Sequence, residues 1–477
     1  MIITNTSIPE VEYKIYAKKF LVFLINKIGK EHWLRRKEIL KAEIRYIESN
    51  ISMVKGPIEE QMFMAPTKDL ITWYMFLVEV LNIEESSGYT QGVEEHSDHA
   101  FESARIIPFF ATIGEQLEQL IKVQEVDRIF AKLISESNNN PDDTLFELMI
   151  AAHYLRNKYN VSFIPENPPH KTPDLLVNKQ GFPTFHVECK RIARMNQYSA
   201  EENIAWEKLW CSLNKEILKT GENYWIDITF KIEVAQINEE ILIVAFKNMA
   251  KPKEPSESEK YDSEQFELTL HRVNMQRLNE HFSKNYVKPL TPQMHELIFG
   301  NIDVNEKRST ACLIKSTKKE GDKDAVLNLF IDKMQTCTGA QWRCIDDKSI
   351  LKRAKHFKTV ISRATQQFPN GSCGIVHVLY ETNQGIEVER TRSDKHLQEL
   401  TKLEVVNSIG AIIHSIQIYP DVYKFEWAET IQDYSIISDM IPTLYEKPLI
   451  LDFNSGVNSG IADITHWEQD ANRKLNI

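Results

Sequence analysis

Between residues 144 and 234 the apolar residues switch from helical spacing to strand alternation and back, and that succession narrows the fold more than any other feature. TLFELMIAAHYLRNK (144–158) reads as an amphipathic helix. Three short apolar runs follow at 161–165, 174–177 and 184–189. The last two are separated by Gly181-Phe182-Pro183, a turn by its glycine and proline. A helix is predicted over 200–219, closed by Gly221, a residue favoured just past a helix end. YWIDITFKIEV (224–234) then alternates as a strand does. Asn138-Asn139-Asn140-Pro141 breaks the chain before this series, with Asp142 or Asp143 available to cap the helix that follows.

On either side the pattern is plainer. Residues 10–135 read as mostly helical, with Phe20, Leu21, Phe23, Leu24 and Ile28 on one face and Leu70, Trp73, Tyr74, Leu77 and Leu81 on another. Gly56-Pro57 and the polar stretch 84–92 punctuate that region, and His96 and His99 read as solvated. Segment 251–260 is a charged, proline-bearing linker, and 263–345 shows no clear order. A basic helix is expected at 348–367, a strand at 374–380, a helix near 394–406 and a strand at 410–418. Helix and strand alternating on both sides of the unordered stretch indicate one α/β domain interrupted by an insertion. The expected division is a helical N-terminal domain at 1–138 and an α/β domain at 139–477 with an insertion at about 236–345.

A chain of 477 residues is long enough for two or three cores. The first residues lack the basic-then-apolar order of a signal peptide, and runs such as 20–25 are too short to span a bilayer, so a cytoplasmic location away from the membrane is expected. The six cysteines include no Cys-x-x-Cys pair, so neither a structural zinc site nor a disulfide scaffold is indicated, and they read as ordinary reduced thiols. The net charge of −11 does not suggest a polyanion partner, although affinity for phosphates depends on local patches. No Gly-x-x-x-x-Gly-Lys-Ser/Thr loop is present, which argues against ATP hydrolysis.

The chemistry-bearing residues converge on the middle strands. Thr172-Pro173-Asp174 puts an acid at the entry of one strand, and Glu188-Cys189-Lys190 puts an acid and a lysine on the next. Side chains alternate across a strand, so Glu188 and Lys190 share a face, and a hairpin would bring Asp174 beside them. Two carboxylates at a strand end suit Mg²⁺ or Mn²⁺. A lysine there can orient a water, stabilise phosphate charge, or act on a proton if its pKa is depressed.

On these residues the chain resembles the PD-(D/E)xK nuclease superfamily. The resemblance implies a restriction-endonuclease-like fold, an α/β domain with a central mixed sheet flanked by helices. It implies hydrolysis of phosphodiester bonds in nucleic acid, DNA ahead of RNA, with a setting in defence against phage or foreign DNA. By the same resemblance the catalytic set is Glu147, Asp174, Glu188 and Lys190, with Glu147, Asp174 and Glu188 holding the metal. Gln367, neighbour of Gln366, matches a glutamine found on a later helix in several branches. Arg191, Arg194, Lys352, Arg353, Lys355 and Lys358 are candidates for phosphate contacts, with Lys348 and Arg363 in the same basic stretch. The N-terminal helices could recruit a protein partner, and a homodimer is compatible with the pattern. The competing expectation is a module that binds nucleic acid or a partner without cutting. His186, on the face of Glu188, reads as structural, and the spacing of Arg390 and His396 as chance.

Overall fold

The computed structural model describes residues 2–7, 12–50, 67–86, 97–167, 171–193, 195–250, 259–287, 289, 291–300, 306–317, 330–382, 384–400, 410–419, 426–435, 444–451 and 463–475. Its strands are β1 (Ile2–Ser7), β2 (Asn160–Phe163), β3 (Leu175–Asn178), β4 (Phe185–Arg191), β5 (Tyr224–Phe230), β6 (Glu259–Asp262), β7 (Phe266–Arg272), β8 (Lys307–Thr317), β9 (Phe330–Cys344), β10 (Cys373–Glu381), β11 (Gly410–Tyr419) and β12 (Glu426–Ser435). They form two mixed sheets flanked by helices. The larger has the order β1-β12-β11-β10-β4-β3-β2 and the smaller β6-β7-β5-β9-β8. In the larger sheet β10 runs parallel to both β4 and β11, and the other pairs are antiparallel.

Helices α1 (Glu12–Ile28), α2 (Lys30–Asn50), α3 (Leu70–Ser86), α4 (Ser97–Glu115) and α5 (Val126–Ile134) precede the strand series, as expected. They are not a separate all-helical unit, however. Leu24, Phe110 and Phe130 belong to the same buried cluster as Leu148 of α6 (Pro141–Arg156), Val187 of β4, Ile375 of β10 and Trp427 of β12. The first residues of the chain also form an edge strand, β1, on β12. The break at 138–140 is therefore a loop within one core, because α4 packs on both α6 and β11, and Tyr13 of α1 lies edge-on to Trp427 of β12.

Helix α6 begins with Pro141 at its first position and Asn140 at the cap, so Asp142 and Asp143 lie in the first turn instead of capping it. The helix is buried on nearly every side, more than an amphipathic pattern predicts, because it lies between the N-terminal helices and β4.

The smaller sheet begins earlier than the insertion expected at 236–345. α7 (Gln197–Lys219) and β5 already belong to it, through Trp206, Leu213, Ile226 and Ile228, with Phe246 of α8 (Glu239–Met249) and Trp342 of β9 completing the core. Alternation fixes which face of a strand is buried but not which sheet receives it, and β5 pairs with β7 and β9 rather than with β4 or β10. The unordered stretch resolves into β7, α9 (Met275–Phe282), α10 (Pro292–Phe299), β8 and β9.

The single basic helix expected at 348–367 is two: α11 (Asp347–Arg353) and α12 (Lys358–Thr365). α11 ends where side chains take its carbonyls. Asn196 donates to the carbonyls of Lys352 and Arg353, and Lys395 to those of Leu351 and Ala354. α13 (Ile386–Leu400) starts earlier than the helix expected near 394, and α14 (His466–Leu475) follows β12. Among the described residues no helix is long and apolar enough to cross a membrane.

Candidate functional site

β3 and β4 pair antiparallel, Leu175 opposite Val187 and Leu176 opposite His186. The turn between them uses Gly181 at φ +85°, a conformation side-chain-bearing residues rarely adopt. Asp174 sits at the strand entry. Its N–H donates to the Val187 carbonyl at 3.0 Å, and one carboxylate oxygen accepts from the Cys189 N–H at 2.7 Å. The hairpin thus fixes Asp174 next to Glu188. Lys190, two residues on, pairs with Glu188 Oε1 on the shared face.

Glu188 is 1% exposed. Its Oε1 also accepts from the side-chain amide of Gln367 at 2.7 Å, while its buried Oε2 has no hydrogen-bond partner. Gln367 follows α12, which packs on β10 and β4. Next to it, Phe368 lies so close on the start of β10 that a Cβ at Gly374 would meet its ring at 2.4 Å. A glycine at 374 therefore lets the turn after α12 seat on the sheet and point Gln367 at Glu188.

Glu147 approaches from α6 and pairs with Lys132 of α5 at 3.2 Å. Burial, then the nearby Asp174 charge, pushes its carboxyl up to about 7. Burial and the Glu188 charge likewise raise Asp174 to about 7. Burial also raises Glu188, against the pull of Lys190 and Gln367, with Glu147 adding to the rise. The three acids therefore sense one another as a repelling group. For Lys190 burial is the largest influence and pulls the pKa down, but the Glu188 charge and hydrogen bond, with the Asp174 charge, together outweigh it and the ammonium ends above its ordinary value. A proton-abstracting lysine is not what this environment makes; a fixed cation is.

Do these residues fit a divalent cation? Among the described residues no three His, Cys, Asp or Glu side chains converge closely enough to hold one as they stand. Each acid is instead turned to a donor of the protein: Glu147 to Lys132, Asp174 to Cys189 and Glu188 to Lys190 and Gln367. Against this stands Glu188 Oε2, a buried carboxyl oxygen without a hydrogen-bond partner, in a group of carboxyls held above their ordinary range. Leaving such an oxygen unsatisfied is costly. Oxygen donors in mutual repulsion are what a hard dication relieves. The donor set fits, given rotation of side chains that the β3-β4 hairpin and α6 already hold within one another's field.

The other sequence candidates are largely committed elsewhere. Arg191 binds Asp142 at 2.8 Å and lies 3.6 Å from Glu381, in a cluster completed by buried Arg105. Lys352 pairs with Glu233 at 2.8 Å and stands over the Tyr198 ring. Arg353 is buried and donates to the Cys344 carbonyl, and Lys358 pairs with Glu399 at 2.8 Å. Lys348, Lys355, Arg363 and Gln366 are exposed. Arg194, His96 and the side chain of His99 lie outside the described residues. His186 is half-buried, and burial lowers its pKa. Arg390 is bound by Glu468 and Glu387, whereas His396 is buried against Phe357, so the two serve no common site.

Lys132 is the site neighbour that sequence reasoning missed. The available signal was Arg128 and Lys132, one helical turn apart in a short helix otherwise rich in apolar residues. Arg128 donates to the Ile164 carbonyl at 3.0 Å, beside the segment that leads to Asp174. Compared with models of protein families, with curated proteins and with solved structures, the chain matches none.

Proposed function

We propose that the chain is a metal-dependent nuclease of the PD-(D/E)xK kind, hydrolysing phosphodiester bonds in nucleic acid, DNA ahead of RNA. The observation that carries this reading is Glu188, a buried carboxylate served on one oxygen by Lys190 and Gln367 and left open on the other, beside Asp174 and within the field of Glu147. Further support comes from topology. An antiparallel β2-β3-β4 meander followed by a parallel neighbour, β10, is compatible with a restriction-endonuclease-like sheet that carries the smaller sheet as an insertion.

Glu147, Asp174 and Glu188 would hold Mg²⁺ or Mn²⁺, which supplies Lewis-acid polarisation of a phosphate and activation of water. Lys190 remains an ammonium and stabilises the charge that grows on the phosphoryl oxygens. Gln367 keeps the Glu188 carboxylate from rotating away. Lys132, exposed and freed when Glu147 turns to the cation, is placed to meet the nucleic-acid backbone, a sequence-independent contact. In the basic stretch at 348–363, Lys352, Arg353 and Lys358 are spent on internal partners, while Lys348, Lys355 and Arg363 are exposed.

One observation favours a second reading, a module that binds without cutting: among the described residues no three ligands converge as the side chains stand. The two readings separate in one experiment. Purified full-length protein is given labelled DNA and RNA, single- and double-stranded, with Mg²⁺, Mn²⁺ or EDTA, and Mn²⁺ binding is followed by paramagnetic resonance. The nuclease reading expects metal-dependent cleavage, lost in Lys190→Ala. Nucleic-acid binding with neither cleavage nor Mn²⁺ uptake would establish the binding module instead.

A further inference from the structure

Away from the acidic site, two of the six cysteines stand side by side. Cys312 of β8 and Cys337 of β9 are direct register partners, with their sulfurs 3.5 Å apart. Opposed residues of an antiparallel pair have Cα atoms roughly 4.5 or 5.5 Å apart, depending on pair type, and both separations lie within the range a disulfide spans. The remaining four are not arranged this way: Cys189 and Cys344 are buried, and Cys211 and Cys373 are exposed on other elements.

We propose that Cys312 and Cys337 are a covalent modification site, closed into a cross-strand disulfide by a small-molecule disulfide such as oxidised glutathione. Exposure sets the order of events. Cys312 is partly exposed and Cys337 fully buried. Cys312 loses its proton to solvent, and its thiolate attacks the glutathione disulfide, forming a mixed disulfide and releasing one reduced glutathione. Cys337 then loses its proton and attacks the Cys312 sulfur from the interior, expelling the second glutathione outward. Two protein thiols are oxidised, one glutathione disulfide is reduced to two thiols, and no further reactant is needed. The buried thiol never has to meet the oxidant.

The bond would act at a weak place. β8 is the outer strand of the smaller sheet, and its register on β9 slips between Leu313 and Ile314 and again between Lys315 and Ser316, immediately beyond Cys312. A crosslink there holds the irregular end of β8 to β9 and closes residues 313–336 into a loop in the unfolded chain. None of this depends on the nuclease reading.

The test uses full-length protein, reduced, desalted and equilibrated across a series of glutathione redox ratios, then alkylated and mapped by mass spectrometry. The expected product is a peptide pair linked through Cys312 and Cys337 and lighter by two hydrogens, while Cys211 and Cys373 carry glutathione or remain free. The thermal midpoint should rise and return with dithiothreitol. In Cys337→Ser the glutathione adduct should accumulate on Cys312, and in Cys312→Ser Cys337 should stay reduced; Cys337→Ala serves if the serine variant folds poorly. Accumulation of the Cys312 adduct in the parent protein, pairing of Cys312 with another cysteine, or inertness of both thiols at every ratio would overturn the proposal.

Discussion

Glu188 and Glu429 lie on the same sheet and are almost equally buried, at 1% and 2% exposed, yet their surroundings differ in kind. Glu429, on β12, is saturated. One oxygen accepts from His414 Nδ1 and from the Ile450 N–H, both at 3.1 Å, and the other from the Leu451 N–H at 2.8 Å. The chain of bonds continues from His414 to His377 and on to Tyr154 and Tyr445, each step 2.9 Å. Protons can be placed along it so that every link has one donor and one acceptor. Glu188 has donors on one oxygen only and other acids for neighbours. A complete network of buried polar groups specifies a structure, whereas a buried oxygen left without a partner calls for a water, an ion or a functional role to explain it.

The largest expected effect tests the open carboxylate. Glu188→Gln and Lys190→Ala should each lower cleavage by about 10²–10³-fold or more, the scale of losing one transition-state stabilising group. Thermal stability should stay close to that of the parent for Glu188→Gln, since the substitution removes a repelling charge. If Glu188→Gln cuts normally, the site is misassigned.

The saturated carboxylate should behave in the opposite way. Glu429→Ala strands His414 and two buried N–H groups. It should cost about 3 kcal/mol or more of stability, with activity per folded molecule retained. Urea unfolding read beside cleavage rates decides it. A Glu429→Ala no less stable than Glu188→Gln would erase the contrast.

pH sharpens the same comparison on a smaller scale. Asp174 and Glu147 titrate near 7 in the fold and near 4 when unfolded. Both are raised, so their stabilising contribution is complete below pH about 4 and is lost as pH climbs through about 7. In EDTA the melting temperature should fall by a few degrees across that window. Glu147→Gln should flatten the fall, and Mg²⁺, which binds the charged forms, should reverse it at pH 8. A melting temperature that is flat with pH and indifferent to Mg²⁺ would show that the acids do not form one site.

How much of this could be seen in the sequence follows from the range of the interactions. The hairpin was legible because Gly181-Phe182-Pro183 and the flanking alternation are local, and they place Asp174, Glu188 and Lys190 together through register alone. The shared core of α1, α4 and the larger sheet was not, since an amphipathic face does not name its partner. The same limit misassigned β5, whose alternation satisfies either sheet. The basic stretch was overcounted for a different reason. Charges at 348–363 were counted without the acids Glu233 and Glu399, which fold against them from far along the chain. Lys132 escaped because its meaning depends on Glu147, on another helix.

The smallest effect concerns Gln367, whose amide reaches Glu188 only because Phe368 rests on Gly374. Losing one hydrogen bond to a charged group is worth about 1.5 kcal/mol, so Gln367→Ala should reduce cleavage roughly tenfold, well short of Lys190→Ala. Gly374→Ala puts a methyl group 2.4 Å from the Phe368 ring, which must shift and carry Gln367 with it. It should reproduce the Gln367→Ala defect without touching an acid or the lysine. Combined, the two changes should cost little more than either alone, because both act through one bond. Additive losses would mean that Gln367 does more than steady Glu188, or that Gly374 serves β10 in some way other than seating that turn.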